Sequence, residues 1–193
     1  MTARTHDLAA ITAFGVVLLT YLPDDLSLST FLVAVFANQL GGIAPDIDQP
    51  TAPLWRNLPE GHFVGRVFGK LLGGHRFLSH SLLGFALFGW LSYLLLGFLQ
   101  PIIPHIDTNM VWWAFMIGYG SHLVMDTLTK EGVPWLLPIP IKFGIPPVKR
   151  FRITTGHFVE LGVVLPLLII FDIWLCAFRY VDIVQLFRSM TSN

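Results

Sequence analysis

The chain has 193 residues, 54% of them hydrophobic and only 12% charged, and its mean hydropathy is +0.66. Soluble domains carry about 25% charged residues, so this composition excludes an ordinary water-soluble fold and points to one integral membrane domain over residues 1–193. The formal net charge is zero; no basic field draws the chain to a polyanion, and no nucleic-acid partner is expected.

Arg4 precedes a first apolar run, Leu8 to Leu22. Tyr21-Leu22-Pro23-Asp24-Asp25 follows it in place of a small-residue cleavage site, which predicts an uncleaved first span. Further apolar runs cover Leu26 to Ala44, Leu82 to Ile103, Met110 to Met125 and Phe158 to Phe178. A spanning helix needs about 20 residues. The second, third and fifth runs meet that length, while the first and fourth are short and require packing among neighbours or local thinning of the bilayer. The expected fold is all-α: a polytopic membrane helix bundle of about five spanning helices with a metal site at one membrane face. Cys176 stands alone inside the last run and has no partner for a disulfide within the chain.

Threading these runs through a bilayer sorts the charges. One side collects Arg4, Arg56, Arg66, Lys70, Arg76, Lys130, Lys142, Lys149, Arg150 and Arg152, and the other keeps Arg179 and Arg188. Loops rich in Lys and Arg stay cytoplasmic, which predicts that the basic loops and the site face the cytoplasm. Basic residues around a phosphate-binding site would give the same count. On the basic side, residues 133–148 hold Pro134, Pro138, Pro140, Pro146 and Pro147 among Trp135, Leu136, Ile139, Phe143 and other apolar residues. Proline at that density excludes regular helix, and the apolar content excludes a solvated coil, so this stretch is expected to be a lid or an interfacial loop.

Ionisable residues near hydrocarbon are costly and are usually paired, ligating or functional. His6, Asp46, Asp48, His75, His80, His122, Asp126 and Glu160 all fall on the basic side of the threading. His122 and Asp126 are four apart, so one helix face presents both; the pair can chelate a divalent ion, and it is equally the spacing of a His–Asp hydrogen bond inside a bundle. Asp46 and Asp48 follow Pro45, where extended backbone would send i and i+2 the same way; two like charges so close raise each other's pKa unless a cation sits between them, and the alternative is a solvated turn after a helix. His75 and His80 are five apart, about 140° on a helix, so a shared ion requires His75 to lie in the Gly73-Gly74 loop; His80 is the favoured ligand, with His75 a second ligand or a proton-transfer group. Arg76 offers a guanidinium fork suited to phosphate or carboxylate. Ser79 and Ser81 read as helix caps, because no nucleophile-elbow pattern surrounds them. Glu160 is a ligand, a partner that orients a histidine, or an interface charge. Mixed nitrogen and oxygen donors suit Zn, Mn or Fe(II), and more than four candidates imply two ions bridged by a carboxylate.

The motif order resembles a known family. Thr5-His6, Pro45-Asp46-Ile47-Asp48, Gly74-His75-Arg76 through His80-Ser81, Gly118-Tyr119 through His122 and Asp126, and Gly156 with Glu160 together look like the YdjM-like, LexA-regulated family of predicted membrane-bound metal-dependent hydrolases. Where that family commonly has glycine and threonine between the paired histidines, this chain has Phe77, Leu78 and Ser79. The resemblance implies an inner-membrane protein of several helices with hydrolytic activity. The His-x-x-x-Asp spacing is also similar to that of zinc phospholipase C and P1-type nucleases, a fold-level analogy.

The expectation is therefore a metal-dependent hydrolase that uses metal-activated water on a phosphoester or related ester of a membrane lipid or lipid-linked substrate. Asp46, Asp48, His80, His122 and Asp126 would hold metal, with His6, His75 and Glu160 completing the shell. Asp48, His75 and Arg76 form the catalytic set, and Arg76, Lys149 and Arg150 would take the anionic head group. The alternative is a metal-ion transporter or sensor, since such residues also mark ion pathways; transport sites, however, lie near the midplane between repeats, and no repeat is visible here.

Overall fold

The structure is a computed structural model that describes residues 1–23, 25–73, 76–139 and 141–192. Its elements are α1 (Ala3–Thr20), α2 (Leu28–Ile43), a single-turn α3 (Pro53–Arg56), α4 (Gly61–Leu71), α5 (Leu82–Leu99), α6 (Thr108–Thr127), α7 (Leu165–Phe178) and α8 (Tyr180–Ser192). A 3-10 turn, Ala44–Asp48, continues α2, and a π segment, Glu160–Val164, leads into α7. Side-chain caps fix three of the starts: Ser27 accepts from Thr30 N at 3.2 Å, Ser81 from Gly84 N at 3.0 Å, and Asp107 from Asn109 N at 2.9 Å. Each satisfies an amide that the first helical turn leaves without a partner.

Helix α6 is the central element, packed on α1, α2 and α5. Its closest neighbour is α2, and small residues make that approach possible. A Cβ at Gly41 would overlap the Phe115 carbonyl, and one at Gly118 would overlap the Asn38 carbonyl. Buried Asn38 then donates to the Ala114 carbonyl at 3.0 Å. Below this contact, Phe14, Leu18, Ala34, Ala37, Val111 and Ala114 form a core.

Among the described residues, three helices are long and apolar enough to cross a membrane: Leu28–Asp48, Leu82–Leu99 and Glu160–Phe178. In the last, no residue of Leu165–Phe178 is buried within the protein, as a helix solvated by lipid can be, because lipid tails are as apolar as its side chains. Polar clips hold it to α1 instead. Asp172, which the sequence left unassigned, accepts from Thr12 Oγ1 at 3.0 Å, and the Arg179 guanidinium donates to the Leu19 carbonyl. Helices α1 and α6 have 18 and 20 residues and bury Thr5, His6, Thr12, His122, Asp126 and Thr127, so their lower hydropathy reflects what they enclose.

The structure revises several expectations. Helix α1 begins at Ala3, which places His6 inside it, and α3, α4 and α8 form where the sequence reading had loop and tail. No helix forms among the described residues of 133–148. That segment is half anchored: Val133 is fully buried beside Tyr119 and Leu123 with Trp135 packed against them, and Leu82 N donates to the Trp135 carbonyl at 3.0 Å. Leu136, Ile139, Ile141 and Ile145 project outward.

Replacing Gly118 by valine should push α6 off α2 and cost about 1–3 kcal/mol, the usual penalty for overfilling a packed contact. Thermal unfolding in detergent would register this as a lowered midpoint, whereas Gly97→Ala, where an added Cβ meets nothing within 4 Å, should leave the midpoint in place. Equal midpoints for both variants would contradict the packing described.

Candidate metal centre

The ends of three helices converge: the start of α1 brings His6, the 3-10 turn after α2 brings Asp46 and Asp48, and the last turns of α6 bring His122 and Asp126. The turn before α5 adds Arg76, Ser79 and His80. His6, Asp48, Ser79, His80, His122 and Asp126 are all buried, and Asp46, at 26% side-chain exposure, is the member open to the outside.

Among the described residues, two groups of donor atoms are close enough to share an ion, His6 with His122 and Asp126, and Asp46 with His80 and His122, each with all its atoms within 4.8 Å of one another. Four atoms deserve comparison with a tetrahedron. His80 Nε2 lies 3.7 Å from Asp46 Oδ1 and 3.6 Å from Asp126 Oδ2, and His122 Nε2 lies 3.8 Å from each of the same two oxygens. These separations are too long for hydrogen bonds. They are close to the edge, about 3.4 Å, of a tetrahedron built on metal–ligand bonds of about 2.1 Å. Asp46, His80 and His122, whose donor atoms all lie within 4.8 Å of one another, fit a divalent ion of the zinc type.

Neighbouring groups aim both imidazoles inward. His122 Nδ1 is 2.6 Å from the Gly42 carbonyl; a carbonyl only accepts, so Nδ1 carries the proton and the lone pair is on Nε2. That nitrogen has no hydrogen-bond partner among the described residues. Ser79 gives its single proton to Asp48 Oδ2 at 2.5 Å, so its oxygen receives Nδ1–H of His80 at 3.1 Å. Nε2 of His80 is thereby the basic nitrogen. Tyr119 OH, donating to the Ser79 carbonyl at 2.6 Å, fixes the turn from below. A carboxylate that orients a ligating histidine in this way commonly tunes metal affinity.

Asp126 has two faces. Its Oδ2 belongs to the four-atom group and also pairs with Arg76 NH2 at 2.6 Å, while its Oδ1 takes the Met1 α-ammonium at 2.6 Å and lies 3.2 Å from His6 Nε2. The same ammonium is 3.0 Å from His6 Nε2. A cation therefore already stands between His6 and Asp126, which is where the bridging role of a carboxylate would place a second ion. The His6 ring stacks on His122 with centroids 3.7 Å apart, so α1 and α6 are locked in register here.

Two sequence expectations change. Extended backbone was to send Asp46 and Asp48 the same way, but the segment is a 3-10 turn, in which i and i+2 diverge by about 240°. Asp46 faces the two histidines, and Asp48 accepts from Arg76 N at 3.0 Å and from Ser79. Glu160, expected in the metal shell, accepts from Thr2 N at 2.5 Å, Thr5 Oγ1 at 2.7 Å and Gly156 N at 2.8 Å. It holds the start of α1 in place and belongs to neither donor group. Of the two serines, Ser81 caps α5 and Ser79 serves Asp48 and His80. His75 lies outside the described residues.

Arg76 is buried in the left-handed region at φ 58. Its NH1 donates to Thr129 Oγ1 at 3.2 Å and pairs with Glu131 at 3.4 Å, and its Nε has no hydrogen-bond partner among the described residues. Lys149 and Arg150 sit exposed in a 3-10 turn, Lys149–Phe151. A cavity of about 350 Å³ opens beside His6 and Asp46, walled by Asp7, Gly42, Ala52 and Leu58. The sequence reading missed Tyr119 and Gly42. Tyr119 was findable, being three and seven residues before His122 and Asp126 on one helix face; a main-chain carbonyl such as that of Gly42 leaves no trace in residue type.

A family described as YdjM inner membrane protein matches residues 1–185. The uncharacterized protein YvsG of Bacillus subtilis is 26% identical over 160 residues, 83% of this chain and 85% of that relative. The inner membrane protein YdjM of Escherichia coli is 32% identical over 104 residues, 54% of this chain, and the match spans about half of that relative's length, 48%. No solved structure matches the chain, so the likeness to zinc phospholipase C and P1-type nucleases rests on one spacing.

His122→Ala and Asp126→Ala should each strip metal from protein purified after growth with zinc, and Ser79→Ala should weaken binding by about 10- to 100-fold, the usual effect of losing an orienting partner. His105, exposed in the loop between α5 and α6, is the control. Metal analysis and competitive chelator titration read all four; loss from His105→Ala equal to that from the others would move the site elsewhere.

Proposed function

The chain belongs to the YdjM family of inner membrane proteins, and from that premise we propose that it is a membrane-bound metal-dependent hydrolase acting on a phosphoester or related ester of a lipid-linked substrate. The observation that carries the reading is the approach of two imidazole nitrogens, His80 Nε2 and His122 Nε2, to Asp46 Oδ1 and Asp126 Oδ2, each nitrogen 3.6 to 3.8 Å from each oxygen. When bound, a divalent ion would supply a water of lowered pKa and offset the negative charge of a phosphoryl group. Zinc is the preferred ion, with manganese or iron compatible with the same donors, and a second ion at Asp126 Oδ1 and His6 would have to displace the Met1 ammonium that stands there.

Within this reading the chain's own residues divide the work. Asp46 is the exposed member of the donor set, so substrate enters from its side, through the cavity that His6 and Asp46 line. Arg76, held by Asp126 and with Nε uncommitted to any described residue, would face the anionic group of the substrate. Lys149 and Arg150, both exposed, would meet the head group outside. Asp48 acts through Ser79 to keep His80 aimed, and the half-anchored 133–148 segment would cover the centre as a lid. The bundle would have five spans, α1 and α6 joining the three more apolar helices in a single domain. The basic loops would then place the centre at the cytoplasmic face.

Protein reconstituted with zinc or manganese should release head groups or phosphate from lipid phosphoesters, and His122→Ala should bring turnover to background while the protein stays folded. Passage of metal into sealed liposomes without any turnover would instead identify a transporter and end the hydrolase reading.

A further inference from the structure

Helix α4 presents three different stripes. Gly61, Gly65 and Gly69 recur every fourth residue and form its buried face. An added Cβ at Gly65 would come within 2.7 Å of the Trp55 ring, and one at Gly69 within 2.7 Å of the Asp48 carbonyl, so the helix lies flat against α3 and the 3-10 turn. At about 100° per residue, the next stripe is His62, Arg66 and Lys70, and the one beyond is Phe63, Val67 and Leu71. All six of these residues are exposed. Phe63 is 60% and Leu71 74% accessible, an apolar row that this chain leaves uncovered.

The surroundings identify what covers it. The turn against which α4 packs, Ala44–Asp48, is the end of the spanning helix Leu28–Asp48, so α4 sits at the boundary of the bilayer. Residues 51–73 carry Arg56, Arg66 and Lys70 against one carboxylate, Glu60. A helix with an apolar row beside a cationic row is built to lie in the plane of a membrane, the former among acyl chains and the latter among head groups. Anionic lipids strengthen such contacts through each basic residue.

We propose that α4 is an in-plane membrane helix, its Phe63, Val67 and Leu71 row inserted in the leaflet on the side of the metal centre and its Arg66 and Lys70 row bound to anionic lipid head groups. Because Gly69 rests on the Asp48 carbonyl, this seats the segment carrying Asp46 and Asp48 at the level of the head groups. The inference depends on membrane insertion of the chain and is independent of any catalytic activity.

The test uses the full chain with Cys176→Ser and a single cysteine introduced at Phe63, Val67 or Leu71, labelled with a nitroxide, in nanodiscs of phosphatidylcholine with or without an equal share of phosphatidylglycerol. All three labels should be accessible to oxygen and shielded from a water-soluble nickel complex in the anionic discs, with a label at His62 more exposed to nickel. Arg66→Gln combined with Lys70→Gln, both on exposed positions, should shift the apolar labels toward water; each single change should produce part of the shift if the pair perturbs the size-exclusion profile. Nickel exposure at all three apolar positions overturns the proposal. So does shielding that is the same in neutral discs and in the double variant, which removes the anionic partner. Shielding that appears only with rising protein concentration, accompanied by label-to-label distances between copies, would assign the row to a second copy and likewise overturn it.

Discussion

A single buried carboxylate, Asp126, ties the site together. Its Oδ2 meets Arg76 and stands at the edge of the four-atom group, and its Oδ1 meets the Met1 ammonium and His6. Through those contacts α1, α6 and the turn before α5 are joined at one atom pair. A carboxylate in such surroundings costs several kcal/mol unless cations and donors surround it. The arrangement of every neighbouring segment follows from that requirement: α1 must start early enough to deliver His6, Arg76 must turn inward with a left-handed backbone, and Glu160 must hold the start of α1 through Thr2 and Thr5.

The bilayer explains what the rest of the bundle omits. A soluble helical domain would bury one face of every helix, yet α7 buries nothing and α5 little. Lipid solvates those apolar surfaces, so the internal contacts concentrate where backbones approach or polar groups must be shared. Gly41 and Gly118 bring α2 and α6 together, and Thr12 with Asp172 fastens α7 to α1. The structural investment lies at the end of the bundle where the donors meet, and the opposite end is held chiefly by the Phe14, Leu18 and Ala34 core.

Orientation of the histidines separates a metal centre from a cluster of buried polar groups. A satisfied His–Asp pair would close to hydrogen-bond distance. Here His122 is fixed from behind by the Gly42 carbonyl and His80 by Ser79 and Asp48, leaving separations of 3.6 to 3.8 Å in front. Separations of that size suit a divalent ion held between the donors. The exposure of Asp46 and the adjoining cavity give it a way in and out.

Composition and hydropathy settled the class of the protein, because a bilayer imposes length and polarity on any helix that crosses it. The spacing of His122 and Asp126 on one helix face was equally legible, since the helical repeat is fixed by backbone geometry. Residue type could not reveal that Asp46 and Asp48 part company, which depends on a 3-10 turn in place of extended chain. Nor could it reveal that Glu160 turns to Thr2 and Thr5, or that glycines conceal α4 as a helix with two outward rows. Those outcomes depend on which main-chain groups arrive nearby after packing. Local periodicity determined the helices and their polar ends; only the tertiary structure, by bringing distant backbone carbonyls and amides beside each side chain, decided which carboxylates join the candidate donor groups and which secure the scaffold.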